Sequence, residues 1–255
     1  MIFAAGLGTR LKPLTDTKPK ALVEVNGQTL LQRTVNRLKE AGTDRIVVNV
    51  HHFADQIIDY LKANDNFGVD IRISDERDQL LDTGGGLLKA RHLFNPDEPV
   101  LIHNVDILSN IRLRDFYKLS TDGNVATLLV SQRKTQRYLV FDSSQRLLGW
   151  TNISTGEVRS PHHDLDTKDP KHQLYAFSGI HMVTPGIFPL LEDYAKTVAR
   201  SPKFGITDFY IHTCGTASIR GHLKTDLQLL DVGKLDSLDQ AAEFVRLHPS
   251  QTERP

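Results

Sequence analysis

A single cysteine, Cys214, stands in 255 residues. The chain can therefore close no internal disulfide, and it offers no CxxC zinc site. A reducing compartment suits such a chain, and the cytoplasm is the expected location. Long apolar runs are missing too. No stretch approaches the roughly 18 apolar residues that a membrane helix needs, so no membrane partner is expected. The apolar start, Met1 to Leu7, is too short for a signal peptide and lacks a basic leader. Neither sign of charge is in excess: 31 Lys and Arg face 31 Asp and Glu, and the pI is near 7.2. That balance argues against general binding of nucleic acid or anionic membranes. It leaves room for a local basic pocket around a small phosphate ligand. Repeats and low-complexity tracts are absent as well. A chain of this length can bury a full core without disulfide or metal staples.

What is present is an alternation of strand-like and helix-like patterns. Ile2-Phe3-Ala4-Ala5 is a short apolar run ending in glycines. Leu30, Leu31, Val35 and Leu38 recur at helical spacing before the stop at Ala41-Gly42. Arg45 to Val50 is β-branched and predicts a buried strand. Phe53, Ile57, Ile58 and Leu61 form a helical stripe, and Val69 to Ile73 alternates as a strand. A helix is expected after the triple glycine at 84–86. Pro99 to His103 makes a fourth strand and Asn124 to Val130 a fifth. This order predicts βαβ units around a mainly parallel sheet with right-handed crossovers. Beyond residue 131 the character changes. Tyr138 to Trp150 predicts a hairpin, and Asn152 to Pro170 a polar surface loop with a short strand or turn. Leu174 to Val183 is a further strand. Helices follow near Ile187-Leu191 and Ile206-Cys214. His222 to Leu230 reads as paired strands, Asp236 to Leu247 as a helix, and His248 to Pro255 as a frayed tail.

The strongest local signal is Gly6-Leu7-Gly8-Thr9-Arg10-Leu11-Lys12-Pro13-Leu14-Thr15. Glycines directly after a strand let the backbone approach a ligand and turn N–H groups toward it. Phosphate is the common guest of such a turn. The dinucleotide fingerprint fails, because Leu11 stands where its third glycine belongs. The Walker A pattern fails too, since Lys12 is followed by proline. A nicotinamide-dependent oxidoreductase is thereby disfavoured. Arg10 and Lys20 lie close in sequence and could hold several phosphates, arginine as a fork and lysine as a point charge. The plainer alternative is a β–α turn with solvated charges.

The run GLGTRLKPLT followed by Lys18-Pro19-Lys20-Ala21-Leu22 resembles the signature of the sugar-1-phosphate nucleotidyltransferases. The resemblance extends over roughly Met1 to Leu247 and is weakest between Gln132 and Gln173. It implies a Rossmann-like, doubly wound, mainly parallel mixed α/β sheet with a small β-rich acceptor-side insertion, similar to the glycosyltransferase-A fold. It implies one domain over 1–247, with a nucleotide part at 1–131 and a sugar-phosphate part at 132–247. In the family the arginine and the lysine bind the triphosphate and stabilise the reaction; Arg10 and Lys20 occupy those positions. Ala5, Gly6, Gly8 and Thr9 would line the nucleotide with them.

Asp82-Thr83-Gly84-Gly85-Gly86 matches the family segment that lies over the nucleobase, usually written with Glu first. Its glycine N–H groups could face a flat ring or a phosphate. The alternative is a loop into a helix cap made by Thr83 or Asp82. Asp106, after the fourth strand, should approach the Gly6–Arg10 loop, because strands one and four are commonly neighbours at a switch point. A carboxylate beside a triphosphate suggests Mg²⁺; a helix cap is the alternative. The family has glycine or alanine before this aspartate, and the larger Val105 is expected to narrow the pocket. Asp231-Val232-Gly233 resembles the late element that supplies a second metal ligand, although Lys234 departs from the usual continuation. Phe177-Ser178-Gly179-Ile180 resembles the acceptor-side strand, so Ser178, Gly179 and Asn104 are expected near the sugar. A buried strand bent at Gly179 is the alternative there.

His51-His52 and His162-His163 lack the spacing and third ligand of a metal site. Trp150, Tyr175 and Cys214 read as packing residues. The implied reaction joins a nucleoside triphosphate and a sugar 1-phosphate and releases pyrophosphate, with Mg²⁺ as cofactor. DTGGGLLKA, the VNVHHFADQIIDYL stretch and FSGI resemble the uridylyltransferases acting on N-acetylmuramate 1-phosphate. Mannose 1-phosphate guanylyltransferases share the same motifs. A nucleotide-sensing homologue without catalysis is a third reading. Oligomeric state is not legible.

Overall fold

The computed structural model describes residues 1–119 and 123–248. The expected fraying beyond His248 concerns 249–255, which lie outside the described residues. Two compact units are built from interleaved segments: Met1–Leu80 with His103–Leu119 and the chain from Gln228 on, and 81–102 with 120–227. The parts expected from sequence, 1–131 and 132–247, do not coincide with these units.

The first unit carries the parallel sheet. Its strands are ordered Ile2–Phe3, Arg45–Val50, Asp70–Asp75, with His103 and Asn104, the end of the strand Val100–Asn104, on the other side of Ile2–Phe3. Ile2 registers with Val48 on one side and His103 on the other. Strand one therefore does lie beside strand four, as the doubly wound pattern requires. Ile46, Val48 and Val50 are fully buried, which is why this strand lacks the polar alternation of a one-faced sheet. The helix Leu30–Glu40 starts at Thr29, whose hydroxyl accepts from the Gln32 amide at 3.0 Å. Leu30, Leu31, Val35 and Leu38 form its buried stripe. Each such side chain contributes about 1.5–3 kcal/mol when fully buried. Ala54–Ala63 buries Ile57 and Leu61 in the same way.

The second unit is β-rich. Gln173–Val183 runs antiparallel to Ala126–Ser131, and its start pairs with Arg137–Phe141. Arg137–Phe141 and Leu147–Asn152 make the expected hairpin, extended by Glu157–Arg159.

The pairing expected within 222–230 is not formed. Ile219–Leu223 pairs in parallel with Ala126–Ser131, and Leu229–Asp231 pairs antiparallel with Ile107–Ser109. Asn110 captures the second of these strands. Its amide donates to the Gln228 carbonyl at 3.1 Å, and its side-chain oxygen accepts from the Gln228 amide at 3.0 Å.

Candidate functional site

The first strand ends at Ala4 and Ala5, and a buried polar chain fixes its exit. Both amides donate to Asn49 Oδ1, at 2.7 and 3.3 Å. Asn49 Nδ2 donates to Glu76 Oε1 at 2.8 Å. Asn49 is 3% exposed and Glu76 is 0% exposed. Polar groups buried this deeply are tolerated only when hydrogen-bonded. They anchor the root of the glycine loop, and sequence reasoning missed both. The available signal was an asparagine inside the β-branched run Arg45–Val50.

Past this anchor the chain opens. Gly6, Thr9 and Arg10 are exposed. Gly8 has φ +64°, and a Cβ there would lie 2.9 Å from Thr15 Cγ2. Its carbonyl accepts from the Leu11 amide at 2.9 Å and the Thr15 hydroxyl at 2.8 Å. Leu11 is fully buried, so the position that breaks the dinucleotide fingerprint is a core position here.

Four expected residues meet in this unit. Lys20 is 9% exposed, and its Nζ is ion-paired with Asp106 Oδ2. Arg10 Nη2 lies 4.0 Å from Asp231 Oδ2, with both side chains about half exposed. The Val232 amide donates to the Asp106 carbonyl at 2.8 Å, and Asp231 registers opposite Ile107. The two aspartates are thus carried at one end of a short antiparallel pair. Gly233 makes room for this grouping. A Cβ there would sit 2.6 Å from Asp231 Oδ1 and 2.8 Å from Arg10 Nη2. Asn104 also belongs to this unit, at the end of the fourth strand.

Val105 does not narrow the site as expected. It is 4% exposed, its amide donates to the Phe3 carbonyl, and its own carbonyl accepts from Thr34. Lys234 opens a tight turn into the helix Ser237–Leu247, where the Ser237 hydroxyl donates to its carbonyl at 2.5 Å.

In the second unit the glycine run serves packing. Gly84 and Gly85 lie inside the helix Asp82–Lys89, and both amides donate to the Phe204 carbonyl, at 2.9 and 3.2 Å. These N–H groups are not free to meet a ring or phosphate, contrary to the expectation. A Cβ at Gly84 would lie 2.4 Å from the Phe204 ring. The Thr83 hydroxyl accepts from the Ile206 amide at 2.9 Å, so it satisfies the first amide of a different helix, Ile206–Thr213, and does not cap its own. Asp82 adopts φ +61°, and its Oδ1 accepts from the Thr83 amide at 2.6 Å.

Ser178 is also committed. It is 2% exposed, and its hydroxyl accepts from the Ile180 amide and donates to the Ile180 carbonyl. Its single O–H is thus spent on the backbone, and only one buried lone pair is left for the expected bond to a sugar hydroxyl. Gly179, at φ +76°, lies within the register shift between Phe177 and His181. Of the histidine pairs, His51 Nδ1 bonds the Glu76 carbonyl at 2.7 Å. Among the described residues no three His, Cys, Asp or Glu side chains cluster as a metal site. Burial pushes the Cys214 thiol up to about 11, which keeps it an inert filler.

The chain is a member of the nucleotidyl transferase family, whose profile matches residues 1–247. It is 48% identical over 108 residues to the N-acetylmuramate alpha-1-phosphate uridylyltransferase of Caulobacter vibrioides, covering 42% of this chain and 44% of that protein. It is 42% identical over 111 residues to the protein of the same name from Neisseria meningitidis serogroup B, covering 44% and 48%. These matches thus span less than half of either relative. Among solved structures, HddC from Yersinia pseudotuberculosis complexed with GMP-PN superposes with a TM-score of 0.73 at 20% identity, over 95% of this chain and 96% of that one. At that identity the likeness is one of fold.

Proposed function

We propose that the chain transfers a nucleotidyl group from a nucleoside triphosphate to a sugar 1-phosphate. The observation that carries this reading is the pairing of Lys20 with Asp106 and of Arg10 with Asp231 at the mouth of an open glycine loop. Each cation has a phosphate role available, and each carboxylate has a metal role available. Without ligand the two sets neutralise each other.

An oxygen of the sugar phosphate attacks the α-phosphorus, the bond from that phosphorus to the bridging oxygen breaks, and pyrophosphate leaves in line. The attacking phosphate is already anionic, so no general base is required. That suits a site whose loop and carboxylates include no paired nucleophile and base. Lys20 and Arg10 would answer the charge that grows on the departing pyrophosphate. The loop from Gly6 to Arg10 would align the phosphates, which is most of the protein's task in this chemistry.

Asp106 and Asp231 fit a hard divalent cation such as Mg²⁺. Both offer oxygen only, and one or two carboxylates beside phosphate oxygens and water form its usual surroundings. Asp106 and Asp231 would hold such an ion, whose charge would supply electrostatic stabilisation of the reacting phosphates. N-acetylmuramate 1-phosphate with UTP is the favoured substrate pair, on the likeness to the two uridylyltransferases. The cytoplasm remains the proposed location.

Pyrophosphate release from a matrix of nucleoside triphosphates and sugar 1-phosphates tests this. One pair should stand well above the rest. EDTA and Asp106→Asn should each silence it, and Lys20→Met should slow it by about 10²–10³, the scale of losing one charge-stabilising donor. Tight triphosphate binding without release from any pair would replace this reading with a nucleotide-sensing role.

A further inference from the structure

The strand Ile2–Phe3 is only two residues long, yet the chain leaves the sheet without orphaning the amides that follow. In a longer strand, backbone carbonyls of the neighbouring strand Arg45–Val50 would meet the next N–H groups. Here one side chain stands in for them. Phe3 registers with Asn49, and Asn49 Oδ1 accepts from both Ala4 and Ala5. The chain is thereby free to turn away from the sheet.

The boundary is sharp. Ala4 and Ala5 are 3% and 4% exposed, and both amides are spent on Asn49. The amides of Gly6, Leu7 and Gly8 make no hydrogen bond among the described residues. Groups open to a ligand therefore start one residue past the root. A shift of about 1 Å at the root would carry through to them, and misplacement on that scale costs up to about 10²-fold in a site whose task is alignment.

Asn49 can hold the root in only one of its two amide orientations, because a flipped amide would aim N–H groups at N–H groups. Glu76, just past the strand Asp70–Asp75, selects the orientation. Its Oε1 accepts from Asn49 Nδ2 at 2.8 Å, and an acid side chain has no N–H to offer the asparagine oxygen. Glu76 is fixed in turn through its backbone. Its amide donates to the Val50 carbonyl at 2.8 Å, and its carbonyl accepts from the Gln79 amide at 3.0 Å. The relay crosses three adjacent strands of the first unit. Both side chains are buried, so they act on a ligand only through the loop.

We propose that Asn49 and Glu76 are positioning residues for triphosphate binding. Glu76 sets the polarity of the Asn49 amide, and Asn49 pre-sets the loop root from which the Gly6–Gly8 amides are presented to the phosphates. This rests on the nucleotidyl-transfer reading and adds what holds its phosphate loop in shape before the ligand arrives.

The test measures UTP affinity with Mg²⁺ by calorimetry, and steady-state kinetics, on the whole chain and three variants. Asn49→Asp sets acid against acid and should weaken UTP binding by about tenfold or more, the scale of losing a charge-assisted hydrogen bond. Glu76→Gln should do less, because its amide oxygen can still accept from Asn49. The reciprocal pair, Asn49→Asp with Glu76→Gln, restores every donor–acceptor contact of the relay and should recover most of the binding. In Asn49→Asp the KM for UTP should rise by a larger factor than kcat falls. A merely structural role would lower the folded fraction, and hence the apparent kcat, and leave KM alone. Should Asn49→Asp fail to fold, amide exchange in the wild-type chain decides. The Ala4 and Ala5 amides should exchange slowly with and without UTP, whereas those of Gly6, Leu7 and Gly8 should exchange fast and become protected on binding. Wild-type affinity in Asn49→Asp, a reciprocal pair no better than that single variant, or an Ala5 amide that exchanges as fast as that of Gly6 would each overturn the proposal and leave nucleotidyl transfer standing. A wild-type chain that binds none of UTP, ATP, GTP, CTP and dTTP would overturn both.

Discussion

A methyl group added at Gly6 would find nothing within 4 Å, whereas one added at Gly85 would land 2.0 Å from the Pro202 carbonyl oxygen. Both glycines belong to runs that follow the pattern of a phosphate or nucleotide loop. In the first unit the chain past Ala5 is exposed, and its charged groups are paired in ways a ligand could exchange. In the second unit the amides of Gly84 and Gly85 are already bonded to Phe204, and their missing side chains admit the 202–205 segment. A glycine run therefore has two separate physical causes: close approach of a ligand, or close approach of the protein's own backbone. The two causes predict opposite responses to the same small substitution.

The largest expected effect lies at the closed run. Gly85→Ala forces a methyl group against a backbone carbonyl that cannot rotate away. Overpacking of this kind costs about 3 kcal/mol, the upper part of the usual range. Urea unfolding should show the midpoint falling with an unchanged slope. Unchanged stability would mean that the 202–205 segment yields easily, and the contrast between the two runs would weaken.

Legibility followed the same line. The βαβ order could be read because Arg45–Val50 and the stripe on Leu30–Glu40 have strong periodicities and clear stops. That Arg10, Lys20, Asp106 and Asp231 would lie in one unit followed from the family resemblance and, for Asp106, from the neighbourhood of strands one and four; the structure pairs Lys20 with Asp106 and Arg10 with Asp231. Three things stayed hidden, each decided by contacts distant in sequence. Gly84 and Gly85 answer to Phe204, more than a hundred residues on. Ser178 looks like a free hydroxyl, but the bend at Gly179 turns it onto the Ile180 backbone. Glu76 looks like a solvated acid, and only its bond to Asn49 shows why it is buried. The pairing of 229–231 with 107–109 was invisible for a related reason. A three-residue strand has no period of its own, and Asn110 selects its partner.

The next effect, smaller for each pH unit than the loss at Gly85, again concerns the second unit. His181 is 1% exposed, and neither ring nitrogen has a hydrogen-bond partner among the described residues. Burial pushes its pKa down from 6.5 to about 3. The folded chain holds it neutral while the unfolded chain takes up a proton below 6.5. Stability should then be fully present above pH 6.5 and fall on acidification toward pH 3, by up to about 1.4 kcal/mol per pH unit. His181→Leu should flatten that part of the stability curve. An unchanged slope in His181→Leu would assign the acid sensitivity to other groups.

The smallest effect on the fold is expected at Gly6, and it bears most directly on the open run. Its φ is not in the left-handed region, so alanine can adopt the same backbone conformation. With no neighbour to strike, Gly6→Ala should change stability by less than about 1 kcal/mol, and toward greater stability, because the unfolded chain loses freedom. Its effect on nucleotide binding should be large by comparison. If the loop cradles phosphates through its backbone, the methyl group occupies the space a phosphate must enter. The affinity for a nucleoside triphosphate, measured with Mg²⁺ by calorimetry, should fall about tenfold or more, the scale of one charge-assisted hydrogen bond. If affinity and stability both stay as they are, the open space at Gly6 serves no ligand. The charges of Lys20 and Arg10 would then have to bind the triphosphate without help from the loop.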